Sequence, residues 1–344
     1  MEKLRWGILA TGYISGRFAH GLNHSHSGKL LAVSSRSQAS AATFAREFDA
    51  GRAYGSHQEL LADEEVEAVY IGSPHPFHAE MAIMAAKAGK HVLCEKPLSM
   101  NLRQAKSVAE AARKAEVQLM EAFMYRCHPQ TEALVRLISE GRIGEVQFVQ
   151  ASFGFKANYD PQGRLFDKRL GGGAILDVGC YPLSFAHLIA QIASGETKLR
   201  GSLSGLKGQL DPHTGVDTFA LATMRFENGL AAQIATGTLG ELENTARVFG
   251  SEGWVEIPVP WIIARLGGEW ELRLHRNGQE EIERISGYDS RPIYAIEADH
   301  FASLVRAEKP SAPGMTVEDS LRLARDLEEW RSAIGVSYPA DAED

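Results

Sequence analysis

The sequence predicts an α/β protein: an N-terminal doubly wound parallel sheet and a C-terminal α+β domain with a large open, mostly antiparallel sheet. Short apolar runs alternate with helical patterns over the first 123 residues, which is typical of βαβ units. Longer runs of alternating polarity replace them after about residue 145. The length of 344 residues also exceeds one average domain. We therefore expect one domain over residues 1–123 and a second over residues 124–344.

Composition and charge argue against several classes of protein. The net charge of −8 gives no positive field that would attract nucleic acid or an anionic membrane. The three cysteines are far apart and form no C-x-x-C pair, so we expect neither disulfides nor a metal site. Residues 1–6 run into a strand pattern rather than a signal peptide, and no apolar run reaches about 18 residues. These features predict a cytoplasmic protein without nucleic-acid or membrane partners.

The first domain is expected to contain five strands separated by helices. The strands are predicted at residues 4–9, 30–35, 66–72, 91–95 and 117–123. The helices are predicted from Tyr13, from the cap Ser37 to about residue 48, after the cap Ser56, up to Gly89, and over residues 101–115. Parallel strands joined by helices cross over right-handed, which gives the doubly wound arrangement.

The second domain is expected to contain hairpins. Strands are predicted at residues 146–155, 218–226, 230–238, 270–275 and 280–285. The pairs Asn228-Gly229 and Asn277-Gly278 favour tight hairpin turns. Helices are predicted at residues 293–307 and 317–333.

The first strand-to-helix turn resembles a dinucleotide-binding turn that has lost glycines. The G-x-G-x-x-G pattern is reduced to Ala10-x-Gly12-x-x-Ser15, so only the position nearest a pyrophosphate is still glycine. Gly12, with Tyr13 and Ile14 behind it, is predicted to bind a cofactor, because a strand precedes the turn and a helix follows it. The alternative is that Gly12 only makes a turn.

The end of the second strand favours NADP over NAD, although NAD is not excluded. An NAD site usually places an acid here to hold the ribose hydroxyls. This chain has Arg36 and Ser37 instead, which suit a 2′-phosphate. The alternative is a solvated loop in which Ser37 only caps a helix.

Two further segments carry groups suited to catalysis. Glu95-Lys96-Pro97 ends a parallel strand, where a lysine can stabilise developing negative charge, and Pro97 admits a cis peptide bond. Downstream of three glycines, Asp177 and Tyr181 are four residues apart, a spacing that puts them on one face if the path is helical. Pro182 is expected to distort that helix. The alternatives are a surface lysine and a satisfied core pair.

These segments together resemble the Gfo/Idh/MocA family of NAD(P)-dependent oxidoreductases, most specifically through A-G-K-x-V-L-C-E-K-P at residues 88–97. Within the family, the chain is most similar to the branch of dimeric dihydrodiol dehydrogenases and NADP-linked D-xylose dehydrogenases. The resemblance implies a Rossmann domain, a substrate-binding and dimerisation domain, and a last helix that packs back on the first domain. It also implies a homodimer or higher homo-oligomer.

The chain departs from the common family pattern D-x-G-x-H-x-x-D, which here reads Asp177-x-Gly179-x-Tyr181-x-x-Ser184. A tyrosine in place of the histidine fits the dihydrodiol-dehydrogenase branch, whose acid–base residue is a tyrosine. Met124 stands where the most similar relatives usually carry a tryptophan, which weakens any inference of aromatic specificity.

The resemblance assigns roles to individual residues. Tyr181 acts as acid in reduction and base in oxidation, and the Lys96 ammonium favours its phenolate. Asp177 orients a substrate hydroxyl or Lys96. The loop carrying Ser73, His75 and His78 covers the nicotinamide side of the cofactor, with ordinary helix-start residues as the alternative. Position along the chain predicts two further substrate contacts. Arg126 follows the last parallel strand, with a surface ion pair as the alternative, and Phe155 lies on the first strand of the second domain, with core packing as the alternative.

The sequence thus predicts an NADP-dependent oxidoreductase that transfers a hydride between nicotinamide and a hydroxyl or carbonyl carbon of a sugar or trans-dihydrodiol. A dehydrogenase for another sugar or polyol, a nucleotide-dependent sensor and a cofactor-assisted glycosidase are the alternatives. Neither the particular substrate nor the direction of reaction is encoded in a motif.

Overall fold

The computed structural model describes residues 2–196 and 199–342, and the chain falls into two units. The first unit consists of residues 1–128, 264–268 and 289–321, and the second of residues 129–263, 269–288 and 322–344. The chain therefore returns to the first unit twice, which no periodicity in the sequence indicates.

The strands, in chain order, are β1 (Leu4–Leu9), β2 (Gly28–Ser34), β3 (Arg52–Tyr54), β4 (Ala68–Ile71), β5 (His91–Glu95), β6 (Leu119–Ala122), β7 (Val146–Gly154), β8 (Gly201–Leu210), β9 (Asp217–Phe226), β10 (Ala231–Gly237), β11 (Ala246–Gly250), β12 (Gly253–Ile257), β13 (Gly268–Arg276) and β14 (Ile282–Asp289). The α-helices are α1 (Tyr13–Leu22), α2 (Gln38–Phe48), α3 (His57–Leu61), α4 (His78–Lys87), α5 (Leu102–Lys114), α6 (Pro129–Ser139), α7 (Cys180–Ser194), α8 (Ile293–Val305) and α9 (Val317–Ala333).

The first unit is built on a parallel sheet with strand order β3-β2-β1-β4-β5-β6. The order reverses next to β1, where a doubly wound sheet opens a crevice for a ligand. Alanines of α4 and the apolar side of α5 pack on one face, against strand residues such as Val69 and Val92. On the other face, where α1 and α8 lie, the ring centroids of Phe18 and Tyr70 are 3.8 Å apart in a stacked pair. The ring centroids of Trp6 and Phe301 are 5.3 Å apart.

The second unit is built on a sheet with strand order β14-β13-β12-β11-β7-β10-β9-β8. β7 and β10 are parallel, and the other pairings that the structure describes are antiparallel. The stretch Lys168–Ser194, which contains α7, is long and apolar enough by composition to cross a membrane. Its apolar window is entirely buried inside the protein, as is usual for a core helix.

The predicted fold class and its strand types are confirmed. β1, β5 and α9 have the predicted bounds, and Ser37 and Ser56 accept hydrogen bonds from Ser40 N and Glu59 N as helix caps. The Asn228-Gly229 turn joins the antiparallel strands β9 and β10. The strands β3, β8, β11 and β12 and the helix α6 were not predicted. β3 has only three residues and β8 is largely exposed, so neither shows the apolar pattern of a buried strand.

Candidate active site

The strands of the first unit end at the same level along one edge of the sheet. Leu9 pairs with both Ser34 and Ile71, and Ile71 pairs with Cys94. The loops after β1, β2, β4 and β5 therefore leave the sheet together. The carboxyl edge of a parallel sheet is where doubly wound folds bind their ligands.

The turn after β1 keeps the geometry of a dinucleotide turn without most of its glycines. Ala10, at the first glycine position, has a left-handed φ of 74°. Gly12 begins α1 with an extended backbone, and a Cβ atom there would meet only Gly72 O, at 3.8 Å. Ser15 packs so closely under Gly72 that a Cβ atom at Gly72 would collide with its Oγ. Ala10 thus makes the tight turn, Gly12 leaves open space for a ligand, and Ser15 packs the helix on the sheet.

Unsatisfied hydroxyls show that this edge fits a polar ligand. Ser15 Oγ and Ser73 Oγ are buried, and neither has a hydrogen-bond partner in the part of the chain that the structure describes. Buried polar groups in proteins are nearly always paired, so these hydroxyls leave bonding capacity beside the turn. The helix terminus at Gly12 adds backbone amides suited to a pyrophosphate. The residues present therefore fit a dinucleotide.

The side chains that follow Gly12 differ in exposure. Tyr13 is 69% exposed, and its hydroxyl accepts a hydrogen bond from Arg17 Nε at 3.0 Å. Ile14 is half-buried. Their contact with a cofactor stays a prediction.

The end of β2 carries a cation without an acidic partner. Arg36 is exposed and makes no hydrogen bond or ion pair with the residues that the structure describes. Thr11 Oγ1 donates to Ser35 Oγ at 3.2 Å, which holds this loop next to the turn after β1. Ser37 caps α2, as one of the two interpretations expected.

Glu95 is fixed at the end of β5 by two hydrogen bonds. Tyr70 OH donates to Glu95 Oε1 at 2.6 Å, and Lys96 N donates to Glu95 Oε2 at 3.2 Å. The Lys96–Pro97 peptide bond is cis. Behind this loop lies Glu297, a fully buried residue of α8. Burial, reinforced by the charge of Glu95, raises the pKa of Glu297 well above its usual value.

His78 joins two loops of the sheet edge. Its Nδ1 lies 2.7 Å from Pro97 O and its Nε2 lies 2.7 Å from Ser73 O. A neutral imidazole has one N–H, so donation to both carbonyls requires the imidazolium form. The ring is fully buried, and the buried His75 ring lies 5.7 Å from it. His78 therefore holds the β4 and β5 loops together; contact of either ring with the cofactor stays a prediction.

In the second unit, the glycine run is fixed by an acid that sequence reasoning missed. Asp217 Oδ2 accepts a hydrogen bond from Ile175 N at 2.7 Å. Gly173 has a φ of 122°, and a Cβ atom there would collide with Asp217 Oδ1. A Cβ atom at Gly172 would lie 2.7 Å from Leu165 O. Burial raises the pKa of Asp217 to about 6, although backbone hydrogen bonds oppose the shift.

The predicted distortion before Pro182 is confirmed. Residues Ile175–Gly179 form a π-helical turn that leads into α7. Asp177 lies in this turn and accepts a hydrogen bond from Arg164 Nη1 at 2.8 Å. Single π-helical turns are rare in proteins, and those that occur are often found at functional sites. Arg164 is an addition to the predicted set, and no motif in the sequence marks it.

Tyr181 is buried among aromatic side chains. Its ring lies 5.2 Å from Phe153 and 6.0 Å from Trp261, measured between centroids. Trp261 is anchored by a hydrogen bond from Nε1 to Ser152 O at 2.8 Å. Phe155, predicted to line a pocket, is half-buried just beyond the end of β7. Phe153 therefore takes the place next to the tyrosine, two residues earlier on the same face of the strand.

Arg126 is enclosed in the first unit. It is 2% exposed, and its guanidinium donates to Pro313 O at 2.9 Å and to Met315 Sδ at 2.7 Å. It also forms an ion pair with Asp319 at 3.4 Å. The ion pair is therefore buried rather than at the surface, and contact of Arg126 with a substrate stays a prediction.

Two family models match the chain. Residues 4–123 match the oxidoreductase family with an NAD-binding Rossmann fold, GFO_IDH_MocA, and residues 131–256 match the GFO/IDH/MocA C-terminal domain.

Relatives match over the full length. The trans-1,2-dihydrobenzene-1,2-diol dehydrogenase of Danio rerio is 34% identical over 346 residues, with 99% of each chain covered. The Homo sapiens protein of the same name is 32% identical over 344 residues, covering 98% of this chain and 99% of its own. The crystal structure of a 3-ketoreductase from Actinomadura kijaniata, in complex with NADP and TDP-benzene, has a TM-score of 0.83 and 28% identity, covering 97% of this chain and 98% of that chain.

Proposed function

The chain belongs to the GFO/IDH/MocA family and is an NAD(P)-dependent dehydrogenase or reductase, and we propose that it uses NADP(H) to interconvert a hydroxyl and a carbonyl group on a sugar or trans-dihydrodiol. The observation that carries the cofactor choice is Arg36, exposed at the end of β2 without an acidic partner among the described residues. A carboxylate at this point would repel a 2′-phosphate, whereas a guanidinium forms charge-assisted hydrogen bonds with it. The NADP complex of the Actinomadura enzyme supports the same choice.

The cofactor site is proposed along the carboxyl edge of the parallel sheet. Gly12 leaves room for the pyrophosphate, and Tyr13 and Ile14 begin the helix beside it. Ser73 contributes its unsatisfied hydroxyl. The remaining proposed cofactor-binding residues are Arg36, Ser37, His75, His78, Glu95, Lys96 and Pro97.

Tyr181 is proposed as the proton carrier of the reaction. The bound nicotinamide supplies or accepts the hydride. In reduction the Tyr181 hydroxyl donates a proton to the substrate oxygen, and in oxidation it takes that proton back. Phe153 and Trp261 restrict its ring, which fixes the direction of the hydroxyl. The Lys96 ammonium stabilises the negative charge that develops on the substrate oxygen.

Asp177 is proposed to orient a second hydroxyl of the substrate. Its ion pair with Arg164, at 2.8 Å, limits the rotation of the carboxylate. A vicinal diol or a sugar offers a hydroxyl next to the reacting carbon, which a single-alcohol substrate lacks. The names of the Danio rerio and Homo sapiens relatives support a diol.

Replacing Tyr181 with phenylalanine tests the proton carrier. We expect kcat to fall by about 10²- to 10⁴-fold, because general acid–base catalysis is lost. The Kd for NADPH, measured by fluorescence quenching, should not change. Tyr159→Phe is the matched control, since that tyrosine of the second unit is 45% exposed. Turnover of Tyr181→Phe at the parental rate would refute the assignment.

Replacing Arg36 with glutamate tests the cofactor choice. We expect the Kd for NADPH to rise by about 10-fold or more and the Kd for NADH to fall, because the acid repels phosphate and binds ribose hydroxyls. Arg46→Glu, on the exposed side of α2, changes the charge equally and is the control. An unchanged NADPH affinity would contradict the 2′-phosphate role.

A substrate panel separates this proposal from its rivals. Purified protein with NADP or NADPH is offered aldoses, trans-diols and dicarbonyls, and absorbance of the reduced nicotinamide is followed. Net redox turnover with a diol or sugar supports the proposal. Binding of the cofactor without turnover on any member would favour a nucleotide-dependent sensor, and hydrolysis without net redox change would favour a cofactor-assisted glycosidase.

We also propose that the protein is a homodimer or higher homo-oligomer formed through the second unit. A row of aromatic rings crosses neighbouring strands, with successive centroids 5.7, 5.6 and 3.7 Å apart: Phe148, Phe249, Trp254 and His275. Half-buried aromatic rows of this kind are enriched at protein interfaces. Light scattering should give at least twice the monomer mass, and Trp254→Glu should lower it; a monomeric parent protein would refute the assembly.

A further inference from the structure

His57 lies beside Arg36 at the same edge of the sheet. Tyr54, at the end of β3, pairs with Ser34, and His57 follows three residues later. His57 Nδ1 lies 2.8 Å from Ser34 Oγ, so the ring is tied to the end of β2. The ring is half-buried, and Arg36 is near enough to act on it electrostatically.

The contact with Ser34 leaves one nitrogen of the His57 ring for a ligand. Ser34 Oγ lies 2.8 Å from Nδ1, and either group can be the donor while the ring is neutral. In the imidazolium form Nδ1–H donates to Ser34 Oγ. The other ring nitrogen, Nε2, has no hydrogen-bond partner in the described part of the chain, and in the imidazolium form it carries an N–H.

The charges around this ring favour an anion. Burial lowers the pKa of His57, and the positive charge of Arg36 lowers it further. The acids nearby do not offset this: Glu59, on the same helix, is exposed, and Asp63 is engaged by Arg52 at 2.7 Å and Tyr54 at 2.9 Å. A bound anion would favour the charged forms of both basic groups at once.

We propose that His57 is a second cationic ligand of the 2′-phosphate of NADP(H), and that its imidazole takes up one proton from solvent when the cofactor binds. The inference rests on the proposed NADP preference. The ring nitrogen without a hydrogen accepts the proton, and Nε2–H of the resulting imidazolium donates to a phosphate oxygen; no other bond changes. NADP(H) binding then strengthens as the pH falls through neutrality, whereas NADH binding does not.

Calorimetry on the full-length protein measures this proton directly. NADPH and NADH are titrated at pH 7.5 in two buffers of different ionisation enthalpy. Wild-type protein should take up a fraction of a proton with NADPH and none with NADH. The 2′-phosphate has a pKa of about 6, and a cationic site drives it to release its proton. Proton release or no net change with NADPH would therefore overturn the proposal.

Two substitutions assign the proton to His57. Asn in His57→Asn keeps an amide that can reach Ser34 and cannot take up a proton. We expect proton uptake to vanish and the Kd for NADPH to rise by about 3- to 10-fold at pH 6.5, with NADH binding unchanged. His57→Gln is the second variant, for use if thermal unfolding shows that His57→Asn is destabilised. His91→Gln, a half-buried histidine at the opposite end of the strands, is the control.

The outcomes separate this inference from the cofactor choice on which it rests. Equal affinity of wild-type protein for NADPH and NADH would refute the NADP preference itself. Tighter binding of NADPH, with the same proton uptake and Kd in both His57 variants, would leave that preference intact and refute only the role of His57.

Discussion

The turn after β1 and the glycine run before the π-helical turn both use glycine for a close approach of the backbone. In the first the approaching group is the proposed cofactor, and in the second it is a side chain of the protein. At Gly12 the nearest atom to an added Cβ would be Gly72 O, at 3.8 Å. At Gly173 the place of a Cβ atom is already taken by the Asp217 side chain. The first glycine leaves space that the proposed cofactor fills, and the second makes room for the protein's own helix cap.

This difference accounts for which of these positions can hold a residue other than glycine. In the turn after β1, alanine occupies a left-handed position and serine packs against Gly72, each at a modest energetic cost. In the glycine run, a side chain at either Gly172 or Gly173 would displace buried protein atoms. Glycine is replaceable where only conformation favours it, and it is required where folded atoms exclude a side chain.

Gly173→Ala should have the largest effect. A left-handed backbone and a collision with Asp217 together should lower the free energy of unfolding by about 4 kcal/mol, measured with denaturant. Gly195→Ala is the matched control: its φ is 71° and nothing lies within 4 Å of the new Cβ. It should cost about 1 kcal/mol. Equal losses in both variants would mean that crowding at Gly173 is unimportant.

Asp217 should make stability depend on pH. Its folded pKa of about 6 lies above its unfolded value, so the folded state binds the proton more tightly. The contribution of Asp217 to stability should therefore be full below about pH 4 and fall by roughly 3 kcal/mol as the pH rises through 6. Asp217→Asn keeps an acceptor for Ile175 N and should lack this slope.

Asp211→Asn provides a control of opposite sign. Hydrogen bonds hold the pKa of Asp211 below its usual value, so its contribution is lost as the pH falls rather than gained. If Asp217→Asn and wild type have parallel stability curves between pH 4 and 7, Asp217 does not titrate in this range.

Gly12→Ala should weaken cofactor binding more than folding. The backbone at Gly12 is extended and there is space for a Cβ atom. The free energy of unfolding should therefore change by less than about 1 kcal/mol. The proposed pyrophosphate would meet the new methyl group, and the Kd for NADPH should rise by about 10-fold or more. A variant that binds NADPH as tightly as wild type would show that the cofactor does not approach this turn.

Ala10→Gly should have the smallest effect, and it should stabilise the protein. The φ of 74° at Ala10 strains alanine and suits glycine, so the free energy of unfolding should rise by about 1 kcal/mol. The NADPH affinity should stay the same. A loss of stability in denaturant unfolding would mean that the greater freedom of glycine in the unfolded chain outweighs the relieved strain.

The sequence predicted most of the first unit because its signals are local. Apolar runs, the caps Ser37 and Ser56, and Gly89 after α4 each act within a few residues. The same local reasoning could not find β8, because an exposed strand carries no apolar alternation. It could not assign Ile293–Val305 to the first unit, since that depends on packing between distant segments such as α1 and α8.

The candidate site divides in the same way. Gly12, Lys96 and Tyr181 stand in recognisable motifs, so their types and neighbours were sufficient to select them. Arg164 and Trp261 stand in no motif, and only the fold brings them to Asp177 and Tyr181. Arg126 was selected by its position after a parallel strand, and only the fold shows that it is enclosed with Asp319.

The sequence by itself determined the α/β class, the strand and helix order of the first unit, the family and the residues with chemistry suited to hydride and proton transfer. Periodicity and motifs depend on residues that are close together in the chain, so they predict single helices and strands and the turns between them. Only the tertiary structure decided which carboxylates are buried, which glycines are crowded, and that His57 lies beside Arg36. Those properties depend on contacts between residues far apart in the chain, and burial and charge are set by such contacts.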